Sequence, residues 1–267
     1  MHSSGLQSIS CLSRNRLSRN RILAALPESE LEHLSGHLEQ VLLPVGRIIY
    51  EPGEQLKHAY FPTTSIASMH YVTASGPSAE TASVGSEGMV GISLFLGGDT
   101  TPSSAMVQTA GYAYRLDSGL LRRAFARSRP LQDVMLRYTL TLIGQISRNA
   151  GCTRHHSLKQ QLCRSLLQGF DRSNSGQFMT TQSLIAGMLG VSRDGIFRAA
   201  QQLQDVGFIR FRRTHLSVLS RSGLESCVCE CYASGIREFD RLLPRSAPNA
   251  GLPNTNPSSM LDQSGIW

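Results

Sequence analysis

In the stretch GVSRDGIFRAAQQLQ, the side chains with most to offer chemically are Ser192, Arg193, Asp194, Phe197, Arg198 and Gln201. A serine at a helix start accepts a hydrogen bond from a backbone N–H in the first turn. The remaining first-turn N–H groups can hold a phosphate oxygen. Arginine pairs with guanine through two parallel hydrogen bonds, and a carboxylate accepts from the cytosine amino group. Ser-Arg-Asp opening a helix, with Arg198 one turn on, is therefore suited to reading base edges.

The elements around this stretch must present it. Residues 180–211 read TTQSLIAGMLGVSRDGIFRAAQQLQDVGFIRF. Thr181 (or Thr180) caps a first helix whose buried side is Leu184, Ile185, Met188 and Leu189. Gly190 supplies the break, Val191 plugs the crease, and Ser192 caps the second helix. The second helix turns Ile196, Ala199 or Ala200, and Leu203 inward, which leaves the polar set outward. VGFIRFRRTHLSVL then reads as two short strands around Arg213-Thr214-His215. Arg210, Arg212, Arg213 and His215 make a basic wing that suits flanking phosphates. A plain helical hairpin explains the leucines equally well, but not the outward Arg, Asp and Arg after a serine cap.

Upstream, LQDVMLRYTLTLIGQISRNAG runs without proline. Leu131, Met135, Tyr138, Leu142 and then Gln145 or Ile146 recur at 3/4 spacing, with Asn149 the next polar position. Leu140 and Ile143 widen the apolar face. A helix apolar on more than one side needs two neighbours. One is the chain's own β domain. A second copy of the helix is expected as the other, through Leu131, Met135, Tyr138, Leu142, Gln145, Ile146 and Asn149.

From 41 to 116, runs such as VLL, RIIY, HAYF, SIASMHYV, TASV, AMVQ and YAYRL are split by glycine and proline turns. This predicts an antiparallel sandwich or barrel, with a buried helical turn at MVGISLFLGG. The expected fold class is α+β; the family resemblance given below implies an N-terminal jelly-roll, or double-stranded β-helix, followed by a long dimerisation helix and a winged helix-turn-helix. The expected boundaries are a flexible arm over 1–20, a β-roll over 21–129, the dimer helix over 130–156, the DNA-binding domain over 157–244 and a disordered tail over 245–267.

Charge divides along the same line. Residues 1–114 carry 6 Lys+Arg against 9 Asp+Glu; residues 115–246 carry 20 against 9. An acidic half joined to a basic half suggests that the second faces a polyanion. No apolar run approaches the roughly 18 residues of a membrane span. The N-terminus is not a convincing signal peptide, and 6 cysteines in 267 residues do not make a disulfide scaffold. A cytoplasmic location is expected.

The chain resembles regulators of the Crp/Fnr family. MLGVSRDGIFRAAQQLQDVGFI resembles the family's helix-turn-helix. NRILAALPESELEHL and GRIIYEPGEQLKHAYFP resemble its first helix and first β-roll strands, and SRSGLESCVCECYASGIREFDRLL the end segment of one subgroup. The resemblance spans roughly residues 20–244. It implies a cyclic-nucleotide-binding-like β-roll and a homodimer on a partly palindromic promoter site. Candidate partners are double-stranded DNA, RNA polymerase and an unidentified small-molecule effector. The family often has Ser-Arg-Glu, with an arginine four positions after the acid. Ser192, Arg193, Asp194 and Arg198 stand there, with the acid one methylene shorter. Relatives usually carry a glycine in the wing turn, where Arg213-Thr214-His215 stands.

Members that bind cyclic AMP have a Gly-Glu pair and then an Arg-Ser or Arg-Thr pair. Here Glu87 precedes Gly88, and no Arg or Lys occurs between Lys57 and Arg115. A cyclic phosphate would lack a sequence-local cation, so no response to cyclic AMP is expected. Only Cys11 stands where oxygen-sensing relatives place a cysteine cluster, and a cubane wants four ligands. Cys227 and Cys231 fall at i, i+4 in CVCECY. Three thiols with His215 would make a zinc set, but the spacing lacks a usual zinc pattern. They are read as filling a helix face, and His155-His156 as an exposed pair at a helix C-terminus. No metal or cofactor is expected. His58 and His70 form no tight motif in the β region, so no enzyme is expected. The rival reading is a dimeric β-barrel interaction protein.

Overall fold

The computed structural model describes residues 16–73, 78–172, 177–179, 181–212 and 215–244. Two short helices, α1 (Arg21–Ala24) and α2 (Glu28–Ser35), lead into seven strands: β1 (Glu39–Leu43), β2 (Ile48–Tyr50), β3 (His58–Pro62), β4 (Ile66–Val72), β5 (Ser78–Val84), β6 (Ser104–Thr109) and β7 (Gly111–Asp117). They form two antiparallel sheets, one ordered β1-β7-β3 and the other β2-β6-β4-β5. The expected turn at MVGISLFLGG is a 3-10 turn over Ile92–Leu94. One apolar cluster, including Phe61, Leu94, Val107 and Leu116, fills the roll.

The helical half follows: α3 (Ser118–Arg127), α4 (Arg129–His155) and α5 (Leu158–Arg172). Ser128 caps α4 by accepting from the Leu131 N–H at 3.2 Å, and Pro130 lies within the first turn, where no intrahelical N–H is lost. Then come β8 (Gln177–Met179), α6 (Gln182–Leu189), α7 (Arg193–Asp205), β9 (Ile209–Arg212), β10 (His215–Val218), α8 (Arg221–Cys227) and α9 (Cys231–Leu242). Strands β8, β10 and β9 make a small antiparallel sheet. Strand β8 is not among the elements that the sequence pattern predicts. The chain's second apolar cluster joins α5, α6, α7 and α8.

Residues 16–20 are not the loose arm their polar composition suggests. Leu17 is in the roll core. Asn20 is fully buried and accepts from the N–H groups of Ile22 and Leu23. Its Nδ2 donates to the carbonyls of Pro62 and Gly88 at 2.9 and 2.8 Å. The rest of the expected arm, with Cys11, and the expected tail lie outside the described residues.

The CVCECY run, expected to fill one helix face, is divided between two helices. Helix α8 ends at Cys227 and α9 starts at Cys231. Cys227 and Cys231 therefore do not stack on one helical face.

Candidate nucleic-acid interface and the contacts that hold it

Thr181 caps α6, its hydroxyl accepting from the Leu184 N–H at 3.1 Å. Gly190 ends α6 at φ +64°, a backbone conformation that side chains with a Cβ resist. Ser192 caps α7 by accepting from the Gly195 N–H at 3.2 Å. Ile196, Ala199, Ala200 and Leu203 are buried, and Val191 packs between the helices. Arg193, Asp194, Arg198 and Gln201 are exposed, and Phe197 is 53% exposed. The structure thus brings the residues expected to read bases onto one open face. Gln201 donates within the helix to Asp205 at 2.6 Å.

The wing pairs Arg212 with His215, so His215 begins a strand rather than sitting in a turn. Arg212 is exposed. Arg213, and the side chain of His215, lie outside the described residues.

The long helix departs from expectation. Leu131, Met135, Tyr138, Leu142, Gln145 and Asn149 are all buried within the single chain. The Tyr138 hydroxyl donates to the Met89 carbonyl at 2.8 Å. Its ring lies so close to Gly88 that a Cβ there would meet it at 2.5 Å. Gln145 donates to the Ser83 carbonyl and Asn149 to that of Thr81, at 3.2 and 2.9 Å. Both polar side chains clasp the backbone of β5, as a buried amide must. These residues face the chain's own roll, and they leave no seam for a second copy. The apolar face left open is Leu136, Leu140, Ile143 and Ile146, between 40% and 53% exposed. Only Ile146 belongs to both sets.

Long-range contacts tie the two halves together. Arg172, at the end of α5, pairs with Glu87 at 2.6 Å and donates to Ser83 Oγ at 2.8 Å. Helix α6 packs on β5, and Gln108 Nε2 donates to Met188 Sδ at 3.2 Å. Beside these contacts is a cleft of about 1020 Å³, lined by Arg148, Arg164, Arg172 and Arg221 among others. Arg21, Arg172 and Arg221 are each held by a carboxylate, of Asp240, Glu87 and Asp171. His58 and His70 belong to different sheets.

Glu80 lies on β5 under this junction, where burial pushes its carboxyl up to about 7; a hydrogen bond from Ser68 and the charges of Arg172 and Arg164 oppose the rise. The folded chain keeps this proton to about pH 7, whereas the unfolded chain releases it near 4.5. Stability therefore falls as pH rises between those values, by at most about 3 kcal/mol. Glu80→Gln should flatten that slope and raise the Tm at pH 8. An unchanged pH profile in thermal melts would refute the assignment.

Residues 160–227 match the family described as the Crp-like helix-turn-helix domain. The fold is similar to that of a Crp/Fnr-family transcriptional regulator from Eubacterium rectale, at 14% identity and TM-score 0.62, covering 78% of this chain and 98% of that one. Residues 160–227 thus carry a Crp-like helix-turn-helix, within a chain whose fold is similar to that of Crp/Fnr regulators. FixK2 from Bradyrhizobium japonicum is similar at 14% identity and TM-score 0.60, over 72% of this chain and 98% of that one. The c-di-GMP-responsive global regulator CLP from Xanthomonas campestris is similar at 16% and 0.58, over 73% and 100%. No curated protein matches the chain in sequence. No helix among the described residues is long and apolar enough to cross a membrane.

Proposed function

We propose that the chain is a sequence-specific transcription regulator, not an enzyme. On this reading it acts as a homodimer on a partly palindromic promoter site, without control by cyclic AMP. The observation that carries the reading is α7: Ser192 caps it, its apolar face is buried, and Arg193, Asp194, Phe197, Arg198 and Gln201 stand open to a major groove. The described cysteines are free thiols, which suits the reducing cytoplasm. Footprinting of the purified chain on genomic fragments tests the whole reading. Uniform weak binding to every fragment, even in low salt, would sink specific regulation.

Arg193 and Arg198 should read bases, and Arg212 should hold phosphate. Arg193→Ala is expected to cost about 1–3 kcal/mol and to relax one operator position. Arg212→Ala should weaken all DNA alike and lower the salt slope by about 1. Unchanged sequence preference and salt dependence in both variants would show that α7 is not the reading element.

The dimer is assigned to the open face of α4, Leu136, Leu140, Ile143 and Ile146, in place of the residues that face the roll. A two-fold contact there would set the paired α7 helices about 34–36 Å apart, one turn of DNA. Independence from cyclic AMP is supported by the lack of Arg or Lys over residues 58–114 and by the engagement of Arg172 with Glu87. Calorimetric titration with cyclic AMP and cyclic GMP should give no saturable heat. Micromolar saturation would overturn that part of the proposal.

A further inference from the structure

Four possible ligand side chains from distant parts of the chain meet where α4 ends. Cys152 lies in the last turn of α4, and His156 follows one turn later as its C-cap. A Cys-x-x-x-His spacing brings both to one side of the helix. Cys229 and Cys231 arrive from the link between α8 and α9. The ligand atoms of all four lie within 4.8 Å of one another. Cys152 Sγ is 3.6 Å from Cys229 Sγ, and Cys231 Sγ is 3.6 Å from His156 Nδ1. Cys152 and Cys229 are buried, and Cys231 and His156 are half-buried.

We propose that Cys152, His156, Cys229 and Cys231 bind one tetrahedral divalent cation of the zinc class through three Sγ atoms and His156 Nδ1. Ideal zinc–sulfur and zinc–nitrogen lengths put sulfurs roughly 3.8 Å apart, and sulfur and nitrogen roughly 3.6 Å apart. The two close pairs already sit near those spacings, and the widest pair needs to close by about 1 Å. An iron–sulfur cubane would place inorganic sulfides and several irons between its thiolates. Ligands this close suit a single ion.

The surroundings fit as well. Glu230 Oε1 lies 3.2 Å from His156 Nε2, a carboxylate that favours the ring proton on Nε2 and leaves the Nδ1 lone pair on the side of Cys231. A carboxylate behind a histidine is the usual outer partner of a metal-bound imidazole. Three thiolates and a divalent cation leave one negative charge. Arg164 acts on Cys152 and Arg148 on Cys231 with the opposite charge. With four protein ligands there is no open position, so the role is structural. The ion would pin the end of α4 to the start of α9. Binding changes no oxidation state: each thiol that begins protonated gives its proton to solvent as its sulfur bonds the ion.

The test uses the full chain, purified under reducing conditions without chelator. Elemental analysis should find about one zinc per chain. Cobalt(II) exchanged for zinc should show thiolate charge-transfer absorption and intense tetrahedral visible bands. Cys231→Ser and His156→Asn should each lose the ion or alter the cobalt spectrum. Cys227→Ser and His155→Asn should do neither. Glu230→Gln should weaken zinc affinity by about 10–100-fold while the cobalt bands keep their ligand set. If Cys152→Ser fails to fold, the half-exposed Cys231 variant carries the test. Substoichiometric metal with a cobalt spectrum lacking thiolate absorption would overturn the proposal. So would a Cys152–Cys229 disulfide in the reduced preparation.

Discussion

Ile143→Asp is expected to separate the dimer and leave the fold intact, whereas its neighbour Leu142→Asp should unfold the chain. Leu142 is 1% exposed within the roll core and Ile143 is 53% exposed. Removing a buried leucine costs about 2–5 kcal/mol, and a carboxylate in its place adds desolvation. A loss of at least about 4 kcal/mol is expected for Leu142→Asp, against a typical total of about 5–15. At position 143 the charge meets water in the monomer and an apolar partner only in the dimer. Ile143→Asp should therefore keep its Tm to within a few degrees, sediment as a monomer at micromolar concentration, and bind a palindromic site more than about 10-fold more weakly. A wild-type chain that stays monomeric on DNA would refute the dimer. An Ile143 variant that dimerises normally would move the seam off this face.

Arg172→Ala should cost about 1–3 kcal/mol, because it leaves the half-buried Glu87 carboxylate without its counter-charge. The side chains of the pair are 12% and 16% exposed, and Arg172 also donates to Ser83 Oγ and to the Ser83 carbonyl. The pair bridges the end of α5 and a turn of the roll, so its loss should fall on the joint between the halves. Urea unfolding followed by far-UV signal should shift to lower midpoint and split into two steps. The double change Arg172→Met with Glu87→Gln should recover much of the loss, since a paired charge replaced by neutral groups is near neutral. A single transition displaced by less than 1 kcal/mol would place this contact with ordinary surface pairs.

What could be read in the sequence was what depends on near neighbours. The Thr181 and Ser192 caps, the Gly190 break and the inward set Ile196, Ala199 and Leu203 are all fixed within a few residues of chain. The strands of the roll were legible because glycine and proline punctuate them. Helix α4 shows the limit of periodicity. Its sequence has two apolar stripes, and spacing alone does not say which meets the roll. The stripe led by Tyr138 went to the roll because Gly88 leaves room for the ring and Met89 offers a carbonyl. Gln145 and Asn149 fit seam positions by spacing, but their amides satisfy the backbone of β5. The thiol cluster was hidden for a related reason. Cys229 and Cys231 find their partners at 152 and 156, and Arg172 finds its own at Glu87, all far off in sequence.

The last helix has a kinetic consequence. Leu243 is 1% exposed within the apolar cluster of the roll, Phe239 packs on it, and Asp240 pairs with Arg21 across 219 residues of chain. As the polypeptide leaves the ribosome, the first domain emerges with part of its interior still facing solvent. That strip stays bare through the synthesis of everything up to α9. Contacts so far apart in sequence form late and slow the final collapse. Over that interval the nascent chain shows chaperones, and other nascent chains, a patch the finished molecule conceals.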